Sequence, residues 1–223
     1  MDEIYEEEKT RRNIVFLSSS FVNLARLFAE ANSDFDVFLI HDRKFPFEIE
    51  ETLDNFYAFT FDKNKMFEKA REKYFDNLAL MVNDFNPEFI ITSNFTKLIP
   101  QSFIDFMKFR NKNLKIINLH HADLKVKDET GDMKYKGLNA EIKQFLGEEQ
   151  LVTTIHLIED EEVDSGKQLA YSHETTLKEL KIKGFAHKKE DMLNLRLRNV
   201  ILSYHERTKV LKLLRKTLDE LSN

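Results

Sequence analysis

EFIIT at residues 88–92 and KIINL at residues 115–119 are two short apolar runs, and between them lies a helix-patterned stretch, QSFIDFMKF at 101–109. Runs of this length with β-branched side chains and no polar alternation read as strands buried on both faces. Asn86-Pro87 breaks the pattern before the first run, and Pro100 suits the opening of a helix. Strand, helix, strand in that order is the unit of a parallel sheet. The same alternation continues outward on both sides. NIVFLS at 13–18 and FDVFLI at 35–40 read as strands, with a weaker one at 56–61. Leu24, Leu27, Phe28 and Ala31 recur at helical spacing, and a longer helical pattern covers 63–85.

Downstream, residues 120–137 are polar and lack periodicity, and a loop that long is often functional. Helix returns at 139–145, LVTTIHLI at 151–158 reads as a strand, and 168–175 as an edge strand pairing antiparallel. Residues 190–221 are helical and charged. The expectation is an α/β chain, with a mostly parallel sheet, helices on both faces and a helical C-terminal region. Residues 13–176 would form the main domain. Residues 177–223 would be a helical extension that packs on the sheet or builds a homodimer.

Composition narrows the function classes. The chain has 223 residues, no cysteine and a net charge of −5. Without cysteine there are neither disulfides nor thiolate metal ligands, which fits a cytoplasmic protein. A nucleic-acid binder would usually carry a basic excess, and this chain does not. No apolar run approaches 18 residues, and the acidic start MDEIYEEEKTRR is unlike a signal peptide. Neither a nucleic acid nor a membrane is expected as a partner.

In parallel α/β sheets, ligands bind beyond the C-terminal ends of the strands. Asn118 and His120 straddle the end of one such strand, and a spacing of two puts both on one face. Asp164 sits in the acidic turn Val163-Asp164-Ser165-Gly166 after a later strand. An amide to steady an oxyanion, an imidazole to move a proton and a carboxylate to hold it make a proton-transfer set. The other reading of the same residues is strand-end side chains that satisfy loop backbone groups.

Four segments in order carry a resemblance: Asn118-Leu119-His120, Tyr135-Lys136-Gly137-Leu138-Asn139-Ala140, Thr153-Thr154-Ile155-His156, and Val163-Asp164-Ser165-Gly166. Together they resemble the folate-dependent formyltransferases, over roughly residues 13–172. The resemblance implies a Rossmann-like formyltransferase fold with N10-formyltetrahydrofolate as formyl donor. By matched position it implies catalytic Asn118, His120 and Asp164. It places the folate under the loop Phe95-Thr96-Lys97-Leu98-Ile99-Pro100, with Phe95, Lys97, Leu98 and Ile99 as contacts and Asp160 of the acidic turn at the border. Lys134 and Lys136 would meet phosphate on the acceptor, and Lys136 is the stronger candidate.

The sequence departs from that pattern in places. The first strand-to-helix turn reads Ser18-Ser19-Ser20-Phe21-Val22-Asn23-Leu24, with Ser19 and Phe21 where the glycinamide ribonucleotide enzymes carry phosphate-binding glycines. This turns the expected acceptor toward a nucleotide-linked amino sugar, such as dTDP-4-amino-4,6-dideoxyglucose. Phosphoribosylglycinamide formyltransfer is the alternative. His121 after His120 also resembles formyltetrahydrofolate deformylase. Asp123, Asp128, Glu129 and Asp132 crowd the insert before Tyr135 and read as a solvated acidic loop. Adjacent His120 and His121 point oppositely along a strand, so no metal site is expected.

Overall fold

The computed structural model describes residues 10–19, 23–42, 53–61, 68–185 and 188–223, with only the backbone of 68–70. The phosphate-loop reading of Ser20, Phe21 and Val22, and the start of the helix expected from residue 63, lie outside the described residues. Strand β1 (Arg12–Ser18) is followed by α1 (Asn23–Ala31), β2 (Phe35–His41) and β3 (Phe56–Thr60). Then come α2 (Glu68–Asp84), β4 (Phe89–Ser93), α3 (Gln101–Arg110) and β5 (Lys115–His120). The sheet runs β3-β2-β1-β4-β5, parallel throughout.

Side-chain alternation explains why these strands are apolar along their whole length. Ile14, Phe16, Phe89, Ile91, Ile117 and Leu119 face a core closed by α1. Val15, Leu17, Ile90 and Ile116 point the other way, into a core closed by α2 and α3. With both faces covered, neither set can be polar.

After the long loop come α4 (Ala140–Glu148), β6 (Gln150–Leu151), β7 (Thr154–Leu157), β8 (Gln168–Tyr171) and β9 (Thr175–Thr176). Strands β7 and β8 extend the sheet antiparallel beyond β5. The strand expected over 151–158 is therefore split, because Leu151 pairs with Thr175 in a separate two-stranded ribbon. The break falls at Val152-Thr153, where the backbone bonds leave the ladder. Thr153 N–H donates to Ser172 Oγ at 2.8 Å. Thr154 Oγ donates to the Ala122 carbonyl at 2.7 Å, which pins the start of the long loop to the sheet.

The C-terminal region is likewise interrupted. After α5 (Leu177–Ile182) come a 3-10 turn (Lys189–Leu193), α6 (Leu195–His205), a π-helical turn (Glu206–Val210) and α7 (Leu211–Ser222). Asn194 caps α6, its side chain accepting from Arg196 N–H and Leu197 N–H. His205 and Glu206 are both fully buried. Neighbours on a helix point about 100° apart, so the chain is enclosed on more than one side there. Helix α7 lays Leu214 and Leu218 into the α1 core. Arg215 ties it down with two bonds to Asp34, at 2.8 and 3.0 Å. Among the described residues no helix is long and apolar enough to cross a membrane.

Because Leu214 is fully buried in the shared core, Leu214→Ala should cost about 2–5 kcal/mol. Urea unfolding would show one transition with a lowered midpoint. A cost under about 1 kcal/mol would mean that α7 does not belong to the cooperative core.

Candidate active site

The same alternation that builds the core delivers a polar cluster at one end of the sheet. On β5, Ile116 faces α3, so Asn118 and His120 share that side. Thr92 of β4 and His156 of β7 sit directly opposite Asn118 in register. Thr92 Oγ donates to Asn118 Oδ1 at 2.7 Å. That bond orients the amide, since its oxygen is taken and its Nδ2 is turned toward the site. Nδ2 lies 3.0 Å from His156 Nε2 and 3.3 Å from Asp164 Oδ1.

Asp164 reaches this cluster from the turn between β7 and β8. Its backbone is left-handed, at φ 55°, a conformation that aspartate tolerates better than most residues. The turn is held close by Gly166, where a Cβ would sit 1.8 Å from the Leu157 carbonyl oxygen. Asp164 Oδ1 is 3.3 Å from His120 Nδ1, and Oδ2 accepts from Gly137 N–H at 2.8 Å. His120 Nε2 donates to the Tyr135 carbonyl at 2.6 Å. The imidazole thus presents a nitrogen to an acceptor on each side.

Burial by itself would raise the Asp164 carboxyl. Its contacts with His120 and His156, then the charge of His120 and the Gly137 N–H, outweigh burial and hold it well below the usual carboxylate range. Asp164 is therefore ionised at every physiological pH and can hold a proton-bearing imidazole in place. The structure brings Asn118, His120 and Asp164 together. It adds His156, to which sequence reasoning gave no role. The signal was a histidine of Asn118 parity inside an apolar strand.

These residues line a cavity of about 400 Å³, of the size that takes a small organic ligand. Phe95, Lys97, Leu98, Ile99 and Asp160 all lie on its wall. Leu98, Leu138 and Val163 form an exposed apolar rim. The Lys97 ammonium is buried and paired with Asp42, between the rings of Tyr74 and Phe95. Burial brings its pKa down to about 8. Lys136 is outside the wall, half-exposed, 3.4 Å from Glu162. Lys134 lies near Glu148 at 3.6 Å. In the acidic insert, Asp128 accepts from Thr130 N–H and Asp132 N–H, closing a tight exposed turn.

His121 points away from His120, into a second, buried polar cluster. Its Nδ1 is 2.8 Å from Thr153 Oγ, and its Nε2 is 3.3 Å from both Asn94 and Glu206. Thr153 passes the chain on to His205 at 3.0 Å. Burial first, then the charges of His121 and Lys209, push His205 down to about 3.

Two measurements check this geometry. A carboxyl with a lowered folded pKa stabilises the fold above its unfolded value, near 3.9, and loses that contribution as pH falls below it. The unfolding free energies of the wild type and Asp164→Asn should differ by a constant amount above about pH 5. The gap should narrow progressively as pH falls below about 4, and a gap independent of pH would show Asp164 to be unperturbed. Gly166→Ala should cost about 1–3 kcal/mol or more, because the atom it meets is backbone. A fully stable, fully active Gly166→Ala protein would contradict the close approach of this turn.

The comparisons with known proteins follow the same lines. No curated protein matches the chain. Among solved structures, phosphoribosylglycinamide formyltransferase from Streptococcus pneumoniae TIGR4 superposes with a TM-score of 0.60 at 16% identity, covering 96% of this chain and 99% of that one. Glycinamide ribonucleotide transformylase 1 from Symbiobacterium toebii gives 0.56 at 16% identity, covering 93% and 87%. Formyltetrahydrofolate deformylase from Burkholderia mallei ATCC 23344 gives 0.56 at 11% identity, covering 89% of this chain and 65% of that one. At these identities the likeness is one of fold. The family model described as formyl transferase matches residues 11–191, most of the chain, including Asn118, His120, His156 and Asp164. The chain belongs to the formyl transferase family.

Proposed function

We propose that this chain transfers the formyl group of N10-formyltetrahydrofolate, the donor used in its family, to the amine of a nucleotide-linked amino sugar. The acceptor class includes sugars such as dTDP-4-amino-4,6-dideoxyglucose. The observation that carries formyl transfer is the convergence of Asn118, His120 and Asp164 at the wall of one cavity. The donor would lie along Phe95, Lys97, Leu98 and Ile99, with Asp160 at its edge. The apolar surfaces there suit a flat heteroaromatic ring.

The neutral amine would attack the formyl carbon, forming a new C–N bond. The carbonyl oxygen becomes an oxyanion, toward which Asn118 Nδ2 would donate in place of its contact with Asp164, and His120 Nε2 in place of its bond to the Tyr135 carbonyl. Asp164 holds His120 and helps take the amine proton, which ends on N10 of the donor as the old C–N bond breaks. His156 fixes the Asn118 amide from the opposite side.

The amino-sugar acceptor is supported by the first turn. Ser19 Oγ accepts from Thr96 N–H at 3.0 Å and lies 3.2 Å from Thr96 Oγ. A side chain thus ties this turn to the donor loop at a position where glycine would leave it open. Lys136, at the mouth, would leave Glu162 for the acceptor's phosphates. The same reading has the enzyme act in the cytoplasm. A second reading, hydrolysis of the donor, is favoured by His121, which adjoins His120 and reaches the wall of the same cavity.

The test is conversion of N10-formyltetrahydrofolate to tetrahydrofolate in the presence of dTDP-linked 3- and 4-amino sugars, a UDP-linked amino sugar, glycinamide ribonucleotide, or no amine. Turnover with a sugar nucleotide alone is expected, rising with pH as the amine loses its proton. Turnover with no amine present would establish the hydrolase instead. His120→Ala and Asp164→Asn should each lower kcat by about 10²–10⁴-fold. Unchanged rates in both would sink the assigned mechanism.

A further inference from the structure

The cavity wall is mostly acidic where it is charged, with Glu141, Asp160, Glu162 and Asp164 on it. Among the described residues that line it, the lysine is Lys97 and the arginine is Arg198. The Lys97 ammonium is committed to Asp42 at the donor-loop end. Arg198 is the other cation on the wall. It comes from α6, in the C-terminal region to which the sequence assigned no chemistry. Its Nη2 bonds Glu141 of α4, four residues beyond the glycine whose N–H holds Asp164.

That bond uses only part of the guanidinium, which carries five N–H donors. Nε is buried and has no partner among the described residues. A buried donor left unpaired costs about 1–3 kcal/mol. Such a cost is offset when a bound molecule brings the missing acceptor. The guanidinium fork fits a phosphate or carboxylate oxyanion through two parallel bonds. Arg198 enters the wall from α6, beside Glu141 of α4, and not from the loop at 95–99 that is proposed for the donor. An anion held there is therefore assigned to the acceptor.

We propose that Arg198, clamped by Glu141, anchors a phosphoryl group of the amine acceptor, so that the reacting amine is set at Asn118, His120 and Asp164. The inference rests on the formyl-transfer reading for the identity of the amine, but the anion site is testable without turnover. It makes the acceptor an amine that also bears a phosphate or diphosphate. It assigns the choice of acceptor to a residue of the C-terminal helix. Glu141 has a positioning role, since it presents the guanidinium face to the cavity.

The experiment is calorimetric titration of the full chain with inorganic pyrophosphate, thymidine diphosphate and, separately, tetrahydrofolate. The wild type should bind all three. Arg198→Gln should weaken both phosphate ligands about 10-fold or more, since a charge-assisted bond is worth about 1.5–3 kcal/mol. Arg198→Lys should fall between, because it keeps the charge but not the fork. Tetrahydrofolate binding should stay within about two-fold in every variant, less than a single hydrogen bond is worth. Should Arg198→Gln fail to fold, Arg198→Lys and the double variant Glu141→Gln/Arg198→Gln, which buries no lone charge, take its place. Phosphate binding that is absent from the wild type, or unchanged in the variants, overturns the proposal. A loss confined to tetrahydrofolate also overturns it and gives Arg198 to the donor's carboxylate tail. Arg198-dependent phosphate binding with no formyl transfer to any amine would keep the anion site and reject the transfer reading.

Discussion

The Asp164 carboxylate is the contact on which the site depends. It reaches from the β7–β8 turn to β5 through His120 and Asn118, and to the long loop through the Gly137 N–H. Three segments far apart in sequence are thus held by two oxygen atoms. A carboxylate buried this deeply is costly unless several donors meet it. Here the donors over-compensate, and the acid is held ionised. The cost of burial and the gain from the contacts are both spent on one geometry, with the imidazole and the amide facing the cavity. The left-handed backbone at Asp164 and the close approach at Gly166 belong to the same constraint.

A two-faced sheet makes this possible. Because both sides of β1, β4 and β5 are packed, polar side chains are excluded from the strands until the strands end. Asn118 is then brought against Thr92 on one side and His156 on the other at matched register. Their hydrogen bonds are made to one another rather than to water. The buried cluster of His121, Thr153 and His205 follows the same logic on the opposite parity. It binds the C-terminal helices to the end of β5.

Charge is distributed in the cavity with a clear polarity. Glu141, Asp160, Glu162 and Asp164 lie on its wall, and Asp164 meets His120 and Asn118. Lys97 on the wall is paired with Asp42 beside the rings of Tyr74 and Phe95. Arg198 lies apart from it on α6, with donors to spare. The C-terminal region thus contributes a cation to the wall of the cavity.

The sequence by itself determined the sheet and the chemistry of its edge. Uninterrupted apolar runs can only be strands buried on both sides, and a spacing of two commits Asn118 and His120 to one face. Both are local consequences of backbone geometry. The order of motifs placed Asp164 in the same set and pointed to the donor loop. Only the tertiary structure decided how the strand at 151–158 divides, since that turns on Ser172 and Thr175 competing for its backbone. The same is true of the C-terminal helices, whose charged, apolar pattern is equally that of an outward or an inward face. Packing settled it by burying Leu214 and Leu218 and by turning Arg198 to the cavity wall. The pairing of Arg198 with Glu141, and of His156 with Asn118, joins residues more than thirty positions apart. Such pairs leave no periodicity in the chain, because what brings them together is the register of the sheet and the crossing of α4 with α6.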